Sequence, residues 1–166
     1  MGIEEARAWL KTFGADGDIR ELSESSATVE LAAKALGTEG RRIAKTLSFL
    51  VEGKPVLIVA AGDGKVDNKA FKARFQTKAK MLSPEEVENL IGHRIGGVCP
   101  FGVKEGVTVY LDESLKRFAT VFPACGSANS AIELTLPQLE EYSASAGWVN
   151  VCRGWREEEE KEQPTA

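Results

Sequence analysis

Two apolar, β-branched-rich runs, TLSFLV at 46–51 and PVLIVAA at 55–61, are joined by only three residues, Glu52, Gly53 and Lys54. Such a pair with glycine in its connection predicts a β-hairpin. A lone hairpin is barely stable in water, so the rest of the chain has to supply elements that cover it. Helical spacing predicts a helix at 3–13, where Ile3, Ala6, Trp9, Leu10 and Phe13 share a face and Gly14 marks the end. ATVELAAKAL at 27–36 predicts a second helix closed by Gly37, followed by a turn and a short helix in GTEGRRIAK. A third helix is expected at 68–75. Ser83 opens a capping box with Glu86, with Pro84 at the first helical position and Leu82 and Val87 placed as a hydrophobic staple. That fourth helix should run to Ile91 and stop at Gly92. Short strands are expected at 18–22, 107–111, 119–123, 131–134 and 149–152, and a short helix at 112–117. A second capping box is formed by Thr135 and Gln138, stapled by Leu134 and Leu139. Hairpins are thus mixed with helical crossovers, which is no regular βαβ repeat. The pattern predicts an α+β fold: a single domain with a central mixed β-sheet surrounded by helices.

The chain has 166 residues, 43% hydrophobic and 28% charged, which suits one domain with a real core and is too short for two ordinary ones. No apolar run approaches the roughly 20 residues of a membrane span. The start, MGIEEARAWLKTFG, lacks the basic head and apolar stretch of a secretory signal, and Ala6 stands where a myristoylation motif has Ser or Thr. A cytoplasmic protein without membrane contact is expected. Cys99, Cys125 and Cys152 are odd in number and widely spaced, and His93 is the only histidine. Neither a metal site nor a disulfide scaffold is therefore expected. GxxxxGK[ST] and GxGxxG are both absent, and no cofactor is expected.

The net charge of −4 is unevenly spread. REEEEKEQPTA at 156–166 holds two bases and five acids and is expected to be an acidic, disordered tail, leaving 1–155 as the domain. Residues 64–80 hold Lys65, Lys69, Lys72, Arg74, Lys78 and Lys80 against Asp67 alone. A basic patch on an otherwise acidic body suggests contact with a polyanion such as nucleic acid. The alternative is an ordinary solvated helix face.

Three stretches have the residue types for chemistry. In RRIAKTLSF, Lys45 stands where a helix hands over to a strand, with Leu47 and Phe49 on one face and Thr46 and Ser48 on the other. An ammonium there can stabilise a carboxylate, a phosphate or a developing oxyanion, unless Lys45 is a plain snorkelling surface lysine. In RIGGVCPFG, Gly96 and Gly97 remove side chains that would block a ligand, and Pro100 fixes the exit. Backbone N–H groups exposed there can hold a carbonyl oxygen or a terminal nucleotide, or the stretch is a tight connection and nothing more. In CGSANSAIEL, the small residues Gly126, Ser127, Ala128, Asn129 and Ser130 can close over a small pocket, or form an ordinary hairpin loop.

Together, AAKALGTEGRRIAKTLSFLVEGKPVLIVAAGDGKVD, GHRIGGVCPFG and GSANSAIEL, in this order and spacing over residues 27–151, resemble the YbaK/ProX/EbsC family. These are freestanding relatives of the editing domain of bacterial prolyl-tRNA synthetases. The resemblance implies one α+β domain with a partly barrel-like sheet. It also implies an aminoacyl-tRNA deacylase that acts in trans on the ester of a mischarged tRNA. That substrate is expected to be tRNA for proline carrying a small amino acid such as alanine or cysteine, with attack assisted by a ribose hydroxyl. The family's lysine falls on Lys45 and its GxxxP element on Gly96 to Pro100. Its glycine-containing loop falls on Gly126 to Ser130. Lys45, Gly96 and Gly97 are thereby the candidate catalytic residues. Thr46, Ser48, Val98, Cys99, Pro100, Gly126, Ser127 and Asn129 are the candidates for substrate binding. Lys65, Lys69, Lys72 and Arg74 are candidates for contact with acceptor-stem phosphates. The implied partners are the acceptor end of mischarged tRNA and a prolyl-tRNA synthetase, with no DNA and no membrane. The sequence departs from some members in having no base between Arg117 and Arg153. Two other readings remain open on the residues: a non-catalytic tRNA- or synthetase-binding module on the same fold, and a thiol-dependent hydrolase using Cys99.

Overall fold

The computed structural model describes residues 2–156. In chain order its elements begin with α1 (Ile3–Lys11), β1 (Arg20–Glu21), α2 (Val29–Leu36), β2 (Ile43–Val51), β3 (Lys54–Ala61), β4 (Lys65–Val66) and α3 (Asn68–Phe75). Helix α4 (Pro84–Glu86) follows and continues as a π-helical turn (Val87–Ile91). Then come β5 (Thr108–Asp112), β6 (Thr120–Pro123), β7 (Ser130–Ala131), β8 (Leu134–Thr135), α5 (Leu136–Tyr142), β9 (Trp148–Val149) and β10 (Cys152–Arg153). The acidic stretch expected at 156–166 lies outside the described residues, Arg156 excepted.

The β2–β3 hairpin is the centre of the sheet. Glu52 and Gly53 both take positive φ, 50° and 79°, the turn whose twist matches that of the strands it joins. Register then runs unbroken from Val51–Lys54 to Ala44–Ala61. The full order is β8-β6-β2-β3-β5-β9. Pairing is antiparallel within the hairpin and at β6–β8, and parallel at β2–β6, β3–β5 and β5–β9. This mixed sheet curls into a half-barrel, the α+β architecture expected from the residues. A parallel neighbour cannot be reached by a tight turn, and the β3-to-β5 crossover is where α3 and α4 are housed.

Alternation along β3 sorts the core into two layers. Leu57, Val59 and Ala61 face one layer with Leu10, Ile91 and Phe101. Val56, Ile58 and Ala60 face the other with Phe49, Phe71 and Phe75. Helix ends carry the capping chemistry read from the sequence. Thr28 accepts from Leu31 N, Gly37 closes α2 at φ 67°, and the Ser83–Glu86 and Thr135–Gln138 boxes are both complete.

Two expected strands are each split in two. The strand expected at 131–134 becomes β7, paired with β1, and β8, paired with β6, with buried Ile132 at the crossover. That expected at 149–152 becomes β9, paired with β5, and β10, paired with β4. At this second break Val151 N donates to the buried Asp112 carboxylate at 2.9 Å, so a side chain takes the place of a neighbouring strand. The strand expected at 18–22 shrinks to two residues behind a 3₁₀ turn at Asp16–Asp18.

Candidate active site

The outer edge of β2 is only partly paired. β6 covers it at Ile43 and Ala44, and pairing resumes where Phe49 bridges Met81. Between them, residues 45–47 have no strand beside them on that edge among the described residues. Leu50 N donates to Lys80 O at 2.8 Å and Leu82 N to Ser48 O at 3.2 Å, so the even-numbered residues of β2 point their backbone groups outward. By the same alternation the N–H and C=O of Thr46 face the gap. A cavity of about 260 Å³ occupies it. Lys45, Thr46 and Ser48 line it from β2, Ala27 from just before α2 and Val29 from its first turn, and Gly96 and Val98 from the loop after α4. Lys45 is the only titratable side chain in that lining among the described residues.

The lysine is held by the β3–β4 turn. Its Nζ donates to Gly62 O at 3.4 Å. Gly62 has no room for a side chain, because a Cβ would collide with Gly40 O. The next residue, Asp63, is gripped by both arms of the Arg117 guanidinium, Nη1 to Oδ2 at 2.9 Å and Nη2 to Oδ1 at 2.5 Å. Arg117 in turn donates to Ser114 O and Trp155 O. This network fixes the carbonyl that orients the ammonium. Partial burial pushes the Lys45 pKa below its ordinary value, and the negative charge of Asp63 opposes that lowering.

The glycines are packing devices. Gly96 lines the cavity at φ 96°, a conformation that a side chain resists, and a Cβ there would come within 3.3 Å of Ala27 Cβ. Gly97 does not line this cavity. It presses against the 125–130 loop so closely that a Cβ would lie 2.6 Å from Ser127 N and 2.7 Å from Gly126 C. Gly97, Gly126 and Ser127 line a second cavity, of about 430 Å³, with Arg94 and Glu88. Asn129 is exposed and ties its loop to the β1 side, donating from Nδ2 to Leu22 O at 3.1 Å. Ser130 reaches the first cavity instead.

Cys99 and Pro100, expected beside the substrate, are not in the lining of either cavity. Both are buried, and Cys99 is 0% exposed within the core layer that holds Phe101. Burial pushes its thiol up to about 12. Its neighbour His93 cannot act as a base toward it. His93 Nε2 lies 2.8 Å from Phe101 O, and a carbonyl only accepts, so that nitrogen carries the proton. The same nitrogen is the one 3.5 Å from Cys99 Sγ. The thiol itself donates toward Phe101 O. A thiol-dependent hydrolase therefore has neither thiolate nor base here. Cys99→Ser is expected to retain hydrolytic activity within about threefold while lowering stability by about 1 kcal/mol, checked by kinetics and thermal melts on one preparation.

The basic segment divides in two. Lys65, in β4, lies near enough that its charge adds to the lowering of Lys45. Lys69, Lys72 and Arg74 are exposed on α3, whose Phe71 and Phe75 bury against the sheet, and none of the three lines either cavity. Arg74 lies over the Phe75 and Tyr110 rings.

Sequence reasoning missed Ser26, Met81, Ile95 and Phe122 as cavity residues. Only Ile95, adjoining the double glycine, had a local signal that could have marked it. The Arg117–Asp63 grip joins residues 54 apart and had none.

The model of the aminoacyl-tRNA editing domain matches residues 23–142. The chain is 54% identical over 156 residues to the uncharacterized protein YwhH of Bacillus subtilis (strain 168), covering 93% of this chain and 99% of that one. It is 32% identical over 113 residues to proline–tRNA ligase of Limosilactobacillus fermentum, covering 64% of this chain and 20% of the ligase. The chain thus spans about a fifth of that ligase. A crystal structure provisionally described as a trans-editing enzyme for prolyl-tRNA synthetase superposes with a TM-score of 0.82. It is 28% identical and covers 92% of this chain and 97% of that one. No helix among the described residues is long and apolar enough to cross a membrane.

Proposed function

The chain belongs to the aminoacyl-tRNA editing domain family, and from that premise we propose that it hydrolyses the aminoacyl ester of mischarged tRNA in trans. The observation that carries this reading is the half-buried ammonium of Lys45 at a small cavity with no other titratable group in its lining among the described residues. An aminoacyl ester is already activated, so the site has to admit the amino acid, position water and stabilise charge. Water adds to the ester carbonyl carbon, and the carbonyl oxygen becomes an oxyanion. In a poorly solvated site the Lys45 ammonium opposes that charge far more strongly than it would in water. Collapse of the tetrahedral adduct breaks the bond to the ribose oxygen, which takes up a proton as the free amino acid leaves. With no carboxylate or imidazole in the cavity lining among the described residues, the attacking water gives its proton to solvent, directly or relayed through the neighbouring ribose hydroxyl of the substrate, which passes its own proton on.

The cavity, at about 260 Å³, lies below the range of pockets for drug-sized ligands and favours a small aminoacyl group such as alanyl or cysteinyl. We take tRNA for proline as the carrier, in line with the similarity to the proline–tRNA ligase. A panel of mischarged tRNAs, beginning with alanyl- and cysteinyl-tRNA for proline, tests the reading. Loss of ester faster than spontaneous hydrolysis supports it. Salt-sensitive binding without turnover across the panel replaces it by the non-catalytic binding module.

The exposed bases of α3 are assigned to acceptor-stem phosphates. Replacing Lys69, Lys72 and Arg74 by Gln is expected to weaken tRNA binding at low salt about tenfold or more. It should also flatten the slope of log affinity against log salt by about two to three, measured by filter binding. An unchanged slope would remove α3 from the tRNA path.

A further inference from the structure

The cavity at Lys45 is large enough for an amino acid but not for the nucleotide esterified to it, so the rest of the substrate has to leave by the mouth. At that mouth stands Ile95. It lines both cavities and is 62% exposed, the most exposed large hydrophobic side chain among the described residues. A single exposed apolar side chain is ordinary on a protein surface, but Ile95 and Met81, 58% exposed, both line the same cavity, and together they offer an apolar rim that a ligand would cover. Beyond Ile95 lies the second cavity, of about 430 Å³, within the range that encloses a nucleotide-sized ligand. Arg94 is its only cationic lining residue among those described. The guanidinium is 79% exposed and its ion pair is with Glu88, at 3.4 Å. A pair so open to water holds the guanidinium weakly and leaves it free to change partner. Gly97 and Gly126 keep the floor of the cavity free of side chains.

We propose that this second cavity is the seat of the terminal nucleotide. The sugar and base lie across Ile95, and the 5′-phosphate exchanges Glu88 for the Arg94 guanidinium, whose planar fork suits two phosphate oxygens. The proposal rests on the deacylase reading for the identity of the ligand, but not for its test. The full chain is titrated with adenosine 5′-monophosphate and, separately, with adenosine, following backbone amide resonances. The phosphate is expected to tighten binding about tenfold, the effect of one charge-assisted contact. The largest shifts should fall on Gly97, Gly126 and Ser127. Arg94→Gln should bring the two affinities together, and Ile95→Ser should weaken both alike. Both side chains are exposed, so neither change threatens folding.

Equal affinity of the two ligands for the unmodified chain overturns the proposal. So does absence of binding at millimolar ligand, a phosphate preference that survives in Arg94→Gln, or shifts confined to α3. Its failure is distinct from failure of the deacylase reading. A chain that binds the nucleotide this way yet hydrolyses no mischarged tRNA loses the activity and keeps the site. One that hydrolyses mischarged tRNA but ignores Arg94→Gln keeps the activity and loses the site.

Discussion

Replacing Lys45 by Ala is expected to lower kcat/KM for a mischarged tRNA by about 10²- to 10³-fold, the usual cost of removing one group that stabilises an oxyanion. The loss should lie mainly in kcat, because the ammonium meets full charge only after water has added. The fold should survive. Lys45 lies where the outer edge of β2 is uncovered, and the hydrogen bond that its ammonium makes, to Gly62 O at 3.4 Å, is a long one. Its charge is partly desolvated, so its folded pKa lies below the unfolded value of 10.5. The folded state then holds the proton less tightly than the unfolded state. The cost of burying the charge is fully present below the folded pKa and disappears as pH rises toward 10.5. Lys45→Met, which keeps the length and loses the charge, should therefore melt no lower than the parent at pH 7 while being equally inactive. Activity should run in the opposite sense. After subtraction of spontaneous hydrolysis, it should fall on the alkaline side at a pH below the ordinary lysine value. A variant that lost activity only in proportion to lost stability would make Lys45 a structural residue.

The second large effect is expected at Gly97. In Gly97→Ala the added Cβ would lie 2.6–2.7 Å from the backbone of Gly126 and Ser127, and a main chain cannot turn aside as a side chain does. The two loops have to part. Overpacking of this kind costs about 1–3 kcal/mol, which for a chain of this size lowers Tm by roughly 3–10 °C. Activity should fall further than stability. Gly96 shares the displaced loop and lines the cavity beside Lys45, and a misplacement of about 1 Å can cost two orders of magnitude in rate. Gly17→Ala is the control. No atom lies within 4 Å of its Cβ and its φ is not positive, so both Tm and activity should stay near those of the parent. Equal behaviour of the two variants would show that the glycine loop has no part in shaping the site.

What could be read in the sequence was what is local. The hairpin turn, the two capping boxes and the closing Gly37 each depend on residues within a few positions of one another, and each forms where its chemistry stands. The splitting of 131–134 was not legible, because whether Ala131 and Leu134 share a partner depends on β1 and β6, which come from far away in the chain. At the site, Lys45 was legible as a cation at the head of a strand. That β6 leaves the edge at Ala44 and opens a gap beside it was not. Cys99 and Pro100, expected beside the substrate from the family resemblance, are buried instead, because after Gly97 the chain turns inward and carries Cys99 and Phe101 into the core, which nothing in the local sequence marks. Ile95, Arg94 and the Arg117–Asp63 grip take their meaning from cavities and neighbours that only the folded chain assembles.

In the proposed reaction the Lys45 ammonium meets the carbonyl oxygen of an aminoacyl ester whose side chain occupies the cavity. A crystal structure with the non-hydrolysable amide of alanine on the 3′ position of adenosine would show whether it does. The alanyl methyl is expected inside the cavity and the amide carbonyl oxygen within about 3 Å of Lys45 Nζ, which leaves Gly62 O to reach it. An analogue bound with its alanyl group outside the cavity, while Lys45 stays on Gly62, would contradict it.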